Sequence, residues 1–337
     1  MVAVDLGNAT RATLSNGVSM PLVGFGCAGK VPRGPLGEAF EAGYRLFDTA
    51  QAGEWYLEEE LGAALNSSGV PRSSVFLTSK LHPRDLGERR TRDAVQLSLK
   101  RLGTDYLDAF LLHYPRCWGS LCGEGYEPEG TWRDSWRALE ALYERGVLRA
   151  IGVSNFAPAD LSELLGVARV RPHLVQSWMD PLHAERTLRA LCLEHDVQFQ
   201  AYSTLGTQHQ TALNPVLKHP LLGQIARELG RSAGQVALRW ALQNGAAVIP
   251  RSRRRARMEA NLAVFDFSLS EAQMRDIDAL DGTDPRLVRA PPPPPLACDD
   301  RDTRCGRWAE DGECDANPAF MHQTCAGSCG TCHKIEL

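Results

Sequence analysis

The chain has 337 residues, 43% of them hydrophobic, and a formal net charge of −4. That is ample material for a large core, and the slight acidic balance excludes a general attraction to nucleic acid or to an anionic membrane. No stretch of the sequence approaches the roughly 20 apolar residues of a membrane helix, so no span is expected.

In chain order, the opening MVAVDLGNATRATLSNG lacks the apolar core of a secretory signal. The segment ATLSNGVSMP reads as a β-hairpin with Asn16-Gly17 as its turn. From about residue 20 to 282, eight β-rich runs follow: PLVGFG, YRLFDTA, VFLTSKL, YLDAFLLH, LRAIGVSN, LVQSWMD, VQFQAYST and AAVIPRS. Between them lie stretches with apolar residues three and four apart, such as RDAVQLSLKRL and GQVALRWALQNG. Strands alternating with helices predict a parallel sheet, and eight such units predict an α/β fold closed as a (β/α)8 TIM barrel behind an N-terminal hairpin. After Leu280 the character changes: Pro291 to Pro295 form a semi-rigid spacer, and six cysteines crowd into the next 35 residues. The expected organisation is a barrel domain over 1–288, a proline-rich linker over 289–297, a small disulfide-rich domain over 298–332 and a tail over 333–337.

In such a barrel the chemistry sits at the C-terminal ends of the strands. Those ends read Asp48, Lys80, His113, Ser154-Asn155, Gln176, Tyr202 and Arg251-Ser252. A polar end can merely cap one strand, but seven consecutive strands ending so converge on one mouth. Asp48 and Lys80 both follow apolar strands and are expected to pair, because a partly desolvated charge needs its opposite. A lysine so held beside a phenol is expected to lower the tyrosine pKa. His113 could orient a carbonyl oxygen. Arg251, Arg253, Arg254, Arg255 and Arg257 open a helix after the eighth strand, where a phosphate would be met by guanidinium groups and the helix dipole. A 2′-phosphate, hence NADP(H), is the natural ligand. Tyr202 could stack on its nicotinamide.

These residues resemble the aldo-keto reductase family. GYRLFDTA is similar to GYRxxDTA, VFLTSKL to FxTSKL, DYLDAFLLHYP to DYxDLYLIHWP, GVLRAIGVSNF to GKxRxIGVSNF, AYSTLG to AYSPLG, and IPRSRRRARMEAN to IPKSxxxxRIxEN. The resemblance implies NADPH-dependent reduction of a small carbonyl substrate to an alcohol, with Asp48, Lys80 and His113 in catalytic positions. It implies that Ser154, Asn155 and Gln176 hold the carboxamide and that Tyr202, with Ser203 and Leu205 after it, faces the nicotinamide side. Arg251, Ser252, Arg257 and Asn261 would bind the adenosine phosphate end. The family's tyrosine stands five residues after the aspartate; here that position is Gly53, and the stretch from Asp48 to Gly62 is two residues longer. Counting back from Gly62 reaches Trp55, whose indole N–H is no proton donor near pH 7. Tyr56 is therefore taken as the fourth catalytic residue, through a remodelled loop. The alternative is an NADP-binding scaffold or sensor with weak or lost reductase activity, acting through its cysteine module. Trp178-Met179-Asp180, where the family has Glu-x-His, alters the cofactor's surroundings. Trp55, Tyr114 and Trp118 suggest an aromatic-lined substrate pocket.

The cysteine-rich end, with Trp308-Ala309 and Asn317-Pro318 inside it, resembles the ShK toxin-like (ShKT) domain. The resemblance implies disulfides Cys298–Cys332, Cys305–Cys325 and Cys314–Cys329; the sequence itself does not choose among 15 connectivities. A zinc site from Cys325, Cys329, Cys332 and His333 would leave the Trp-Ala and Asn-Pro elements unexplained, so no metal is expected. A protein partner for this module is conceivable. Cys117 and Cys122 could bridge or stay free thiols. Disulfides, the KDEL-like end Lys334-Ile335-Glu336-Leu337 and the sequons at Asn8 and Asn66 point to the endoplasmic reticulum lumen; a cytoplasmic address is the alternative.

Overall fold

A computed structural model describes residues 10–117, 119–123, 125–209, 213–283 and 305. Two antiparallel strands, β1 (Arg11–Thr13) and β2 (Ser19–Pro21), form the hairpin. Its turn is shifted by one residue from the expected position. Ser15 and Asn16 occupy the corners, Gly17 N–H donates to Leu14 O (2.8 Å), and Gly17 takes a φ of 84° that a side chain would resist.

Eight parallel strands follow: β3 (Phe25–Gly26), β4 (Leu46–Asp48), β5 (Phe76–Leu81), β6 (Ala109–Leu112), β7 (Ile151–Ser154), β8 (Leu174–Trp178), β9 (Gln198–Tyr202) and β10 (Ala247–Val248). They pair in chain order. The sheet curls until its ends meet: Val23 bridges Val248, and Gly24 N–H donates to Val248 O (2.8 Å). This is the expected (β/α)8 barrel. Its strands are apolar because both faces are covered, one by the interior and one by helices.

The outer layer is α1 (Arg33–Ala42), α2 (Glu58–Ser67), α3 (Glu88–Leu102), α4 (Gly119–Cys122), α5 (Trp132–Glu144), α6 (Pro158–Val167), α7 (Arg186–Glu194), α8 (Pro220–Leu229), α9 (Ala233–Gln243), α10 (Arg255–Leu262) and α11 (Glu271–Asp278). In α3 the apolar periodicity puts Ala94, Val95, Leu99 and Leu102 inward, and Gly103 ends the helix in the left-handed region. α5 starts at a capping box in which Thr131 N–H donates to Asp134 Oδ2 (2.7 Å).

At the N-terminal base of the sheet Asp108 is buried and fully bonded. It accepts from Leu77 N–H (3.0 Å), Arg72 (2.8 Å) and Arg149 (3.0 Å). Ordered strand pairing sends every strand's C-terminal end to the opposite side, where Asp48 is level with Thr78 and Ser154 with Gln176.

The chain divides into two compact units, 1–281 and 282–337. In the second unit Cys305 is buried and disulfide-bonded. The partners expected from the resemblance, Cys298–Cys332, Cys325 and Cys314–Cys329, lie outside the described residues, as do Asn8, Trp118 and the tail. Among the described residues no helix is long and apolar enough to cross a membrane.

Candidate active site

The C-terminal strand ends surround a cavity of about 490 Å³. Asp48 lines it, and Lys80, fully buried in β5 behind that lining, places Nζ 2.6 Å from Asp48 Oδ1 and donates also to Thr49 O (2.9 Å). Neither ion reaches water, so each is the other's compensation. Asp48 Oδ2 accepts from Gln176 Nε2 (2.7 Å), which donates in turn to Gln200 Oε1 (2.7 Å).

The lengthened segment after β4 sorts its two aromatics. Trp55 and Tyr56 N–H groups both donate to Ala52 O (2.9 Å each), closing a tight turn, and Trp55 O accepts from Gly29 and Lys30 (2.7 Å each). The turn sends Trp55 to the rim, 42% exposed. It sends Tyr56 inward, where the Lys80 ammonium lies 5.2 Å from the ring centroid and His113 meets the ring edge-on at 6.0 Å. Tyr114, on the far side of His113, stacks on it at 4.9 Å.

One electrostatic expectation is overturned. The Tyr56 hydroxyl is not lowered by its lysine; burial first, and then the Asp48 charge, hold it well above the ordinary phenol range. Lys80 lies 5.2 Å from the ring centroid but is paired with Asp48, whose negative charge adds to burial in opposing ionisation of the phenol. Tyr56 therefore keeps its proton at neutral pH. His113 is pushed the other way, well below its ordinary value, by burial and by Lys80, and is neutral; its buried Nδ1 has no hydrogen-bond partner.

Around this centre Asn155, held in a left-handed conformation (φ 58°), donates to His113 O (2.9 Å) and Ser154 Oγ (3.1 Å). It accepts from the Tyr202 hydroxyl (2.6 Å). Ser203 and Leu205 continue the cavity wall. On the first and eighth strands Arg251 donates to Ala28 O (2.6 Å) and Arg253 to Gly29 O (2.8 Å). Gly29 has a φ of 83°, and a side chain there would collide with the Arg251 guanidinium. Among the described residues Arg251, Arg253, Arg254 and Arg257 have no carboxylate partner, and they stand before and within the first turn of α10. Unpaired guanidinium groups at a helix N-terminus suit a phosphate-bearing ligand.

Of the expected phosphate ligands, Ser252 accepts at Oγ from Arg254 N–H (3.0 Å), and Asn261 is a buried residue of α10. Sequence reasoning missed Gln200, hidden mid-strand, whose Nε2 is buried without a partner. It also missed His209, on the loop after β9, whose Nε2 donates to the buried Asp180 (2.9 Å). On the remaining side Cys117 and Cys122 are joined as a disulfide, with Arg84 donating twice to Cys122 O (3.0 and 2.8 Å).

Residues 35–282 match the aldo/keto reductase family, and residues 297–332 match the ShK domain-like family. The chain is 38% identical over 277 residues to a 9,11-endoperoxide prostaglandin H2 reductase of Trypanosoma cruzi, covering 81% of this chain and 92% of that protein. It is 39% identical over 272 residues to a glyoxal reductase of Bacillus subtilis, covering 79% and 91%. Among solved structures, an aldo-keto reductase of Bombyx mori in complex with NADP superposes with a TM-score of 0.74 at 29% identity, over 81% of this chain and 93% of that one. One from Brucella melitensis superposes with a TM-score of 0.71 at 36% identity, over 80% and 99%.

Proposed function

This chain belongs to the aldo/keto reductase family of NADP-dependent oxidoreductases, and from that premise we propose that it reduces an aldehyde or ketone to an alcohol with NADPH, Tyr56 supplying the proton. The observation that carries the reading is the meeting of Tyr56, Asp48 and His113 in one cavity, with Lys80 held behind it against Asp48 and the Tyr56 ring. NADPH, when bound, would supply the hydride. Tyr56, protonated at neutral pH, gives its proton to the carbonyl oxygen. Lys80, fixed by Asp48, stabilises the phenolate left behind. Neutral His113 donates a hydrogen bond that orients the carbonyl. Ser154, Asn155 and Gln176 are the amide and hydroxyl groups that would hold a carboxamide, Tyr202 offers a ring for stacking, and the arginines without a carboxylate partner offer the 2′-phosphate seat. Trp55 and Tyr114 give the substrate side an aromatic lining without a charged group, which suits an uncharged carbonyl compound.

The test pairs an NADPH-oxidation assay over an aldehyde panel that includes nitrobenzaldehyde with an NADPH fluorescence titration. Wild type turns over, and Tyr56→Phe loses roughly 10²- to 10⁴-fold in kcat while still binding NADPH. Equal turnover by Tyr56→Phe removes that residue from the mechanism. NADPH binding by wild type without turnover on any aldehyde supports the scaffold reading instead.

We also propose a secretory-pathway address, with glycosylation at Asn66, an exposed residue of α2. Its support is the cysteine-rich module and the Cys117–Cys122 bridge. An intact mass that does not change on treatment with glycosidase or reductant overturns it.

A further inference from the structure

We propose that the buried Asp180–His209 pair tethers the loop after β9 to the barrel rim and so governs how long NADP(H) stays bound. This rests on the reading of the cavity as the cofactor site.

Asp180 lies two residues past β8 with no exposed surface. Three donors converge on its carboxylate: the Trp178 indole N–H (2.8 Å), Leu182 N–H (2.8 Å) and His209 Nε2 (2.9 Å). Backbone bonds in both directions between Asp180 and His183 (3.0 and 2.9 Å) fix the turn that presents it. Trp178 is wedged between two imidazoles, face to face with His183 (4.1 Å) and edge to face with His209 (5.4 Å). A carboxylate taken wholly out of water is costly unless it is paired and bonded on every side, and an apolar contact could fill the same space with no such cost. What a carboxylate–imidazole hydrogen bond adds is one fixed position for the group it holds.

That group sits where position matters. Thr207 and Gln208, the residues just before His209, line the cavity together with Ser203, Thr204 and Leu205. Gly26 of β3, with Ala28 and Arg251 just beyond β3 and β10, also lines it. Thr207 on Ser203 (2.9 Å) and Asn214 on Leu205 (2.6 Å) knit the loop to itself, and His209 ties it to the barrel. A dinucleotide held by residues from His113 to Arg251 would lie between these two sets of lining residues. Neither Asp180 nor His209 lines the cavity, so the pair is a positioning device and takes no part in the chemistry.

The experiment compares wild type, Asp180→Asn, His209→Gln and the double variant, all as full-length chains. Stopped-flow fluorescence measures NADPH release, hydrogen exchange of the cofactor-free protein follows residues 203–219, and single-turnover hydride transfer to nitrobenzaldehyde is read at saturating NADPH. In each single variant release accelerates by about tenfold or more. The double variant is no worse than either single, exchange of the loop quickens, and the single-turnover rate stays within about twofold of wild type. Should Asp180→Asn fail to fold, His209→Gln carries the test, since it leaves the Trp178 and Leu182 bonds to the carboxylate intact. Unchanged release and loop exchange in folded variants of a wild type that binds NADPH overturn the tether. A wild type that does not bind NADPH overturns the cofactor assignment itself, and the tether with it.

Discussion

The two ends of the barrel treat a buried aspartate differently. At the base, Asp108 receives one backbone N–H and two guanidinium groups. At the mouth, Asp48 is equally well served by Lys80 and Gln176, but its surroundings are not: Thr49 Oγ1, His113 Nδ1, Gln200 Nε2 and Thr204 Oγ1 are buried without partners. Since a buried unpaired polar atom costs about 1–3 kcal/mol, the mouth carries a penalty that the base avoids. The base is arranged for stability, and the mouth keeps bonding capacity in reserve for what enters it.

Lys80→Met attacks the mouth, and its expected result is the largest. Reduction falls on the order of a thousandfold in kcat, read as NADPH oxidation per folded enzyme, and circular dichroism reports the separate cost of leaving Asp48 unpaired. Asp108→Asn attacks the base. It should lower unfolding free energy by roughly 3 kcal/mol, less than a fully buried pair because Arg149 is half exposed, and leave kcat of the folded fraction alone. Denaturant titration beside the activity assay checks this; a large kcat effect there, or none on stability, breaks the contrast between the ends. Arg257→Ala sharpens it at the rim, weakening NADPH by about tenfold with little change for NADH, as measured by fluorescence titration. For reduction near neutrality the expected pH effect is smaller still. The Tyr56 hydroxyl is raised and His113 lowered, so neither ionises near neutrality and kcat/KM for reduction should be flat there. Alcohol oxidation with NADP⁺ needs the phenolate and should climb about tenfold per pH unit toward the alkaline side. A bell-shaped reduction profile centred near pH 7 would contradict the assigned directions.

The barrel was legible in the sequence because its strands are short apolar runs ended by polar residues, and the hairpin because Asn-Gly marks a turn. Asp48, Lys80 and His113 were legible for the same reason, each being the polar residue that ends an apolar strand. The choice between Trp55 and Tyr56 was not settled by counting. Adjacent residues in a loop have no face assigned by periodicity, and the double hydrogen bond to Ala52 O is what turns one out and the other in. The raised Tyr56 pKa was illegible, because it depends on where the lysine's charge is spent. Asp180 stood in a segment visibly unlike the family pattern, but His209 lies 29 residues away in an irregular loop, with no spacing rule to connect the two.

The seam of the barrel has a consequence for biosynthesis. The Val23–Val248 bridge joins the first strand to the last, and Arg251 and Arg253 reach back to the carbonyls of Ala28 and Gly29. A polypeptide whose last third is still unsynthesised has most of the staves but lacks the rim that would grip a nucleotide phosphate. Cofactor capture therefore reports that synthesis has passed the last stave, and a chain truncated before Arg251 should remain unable to draw stability from NADPH however much of the sheet it has assembled.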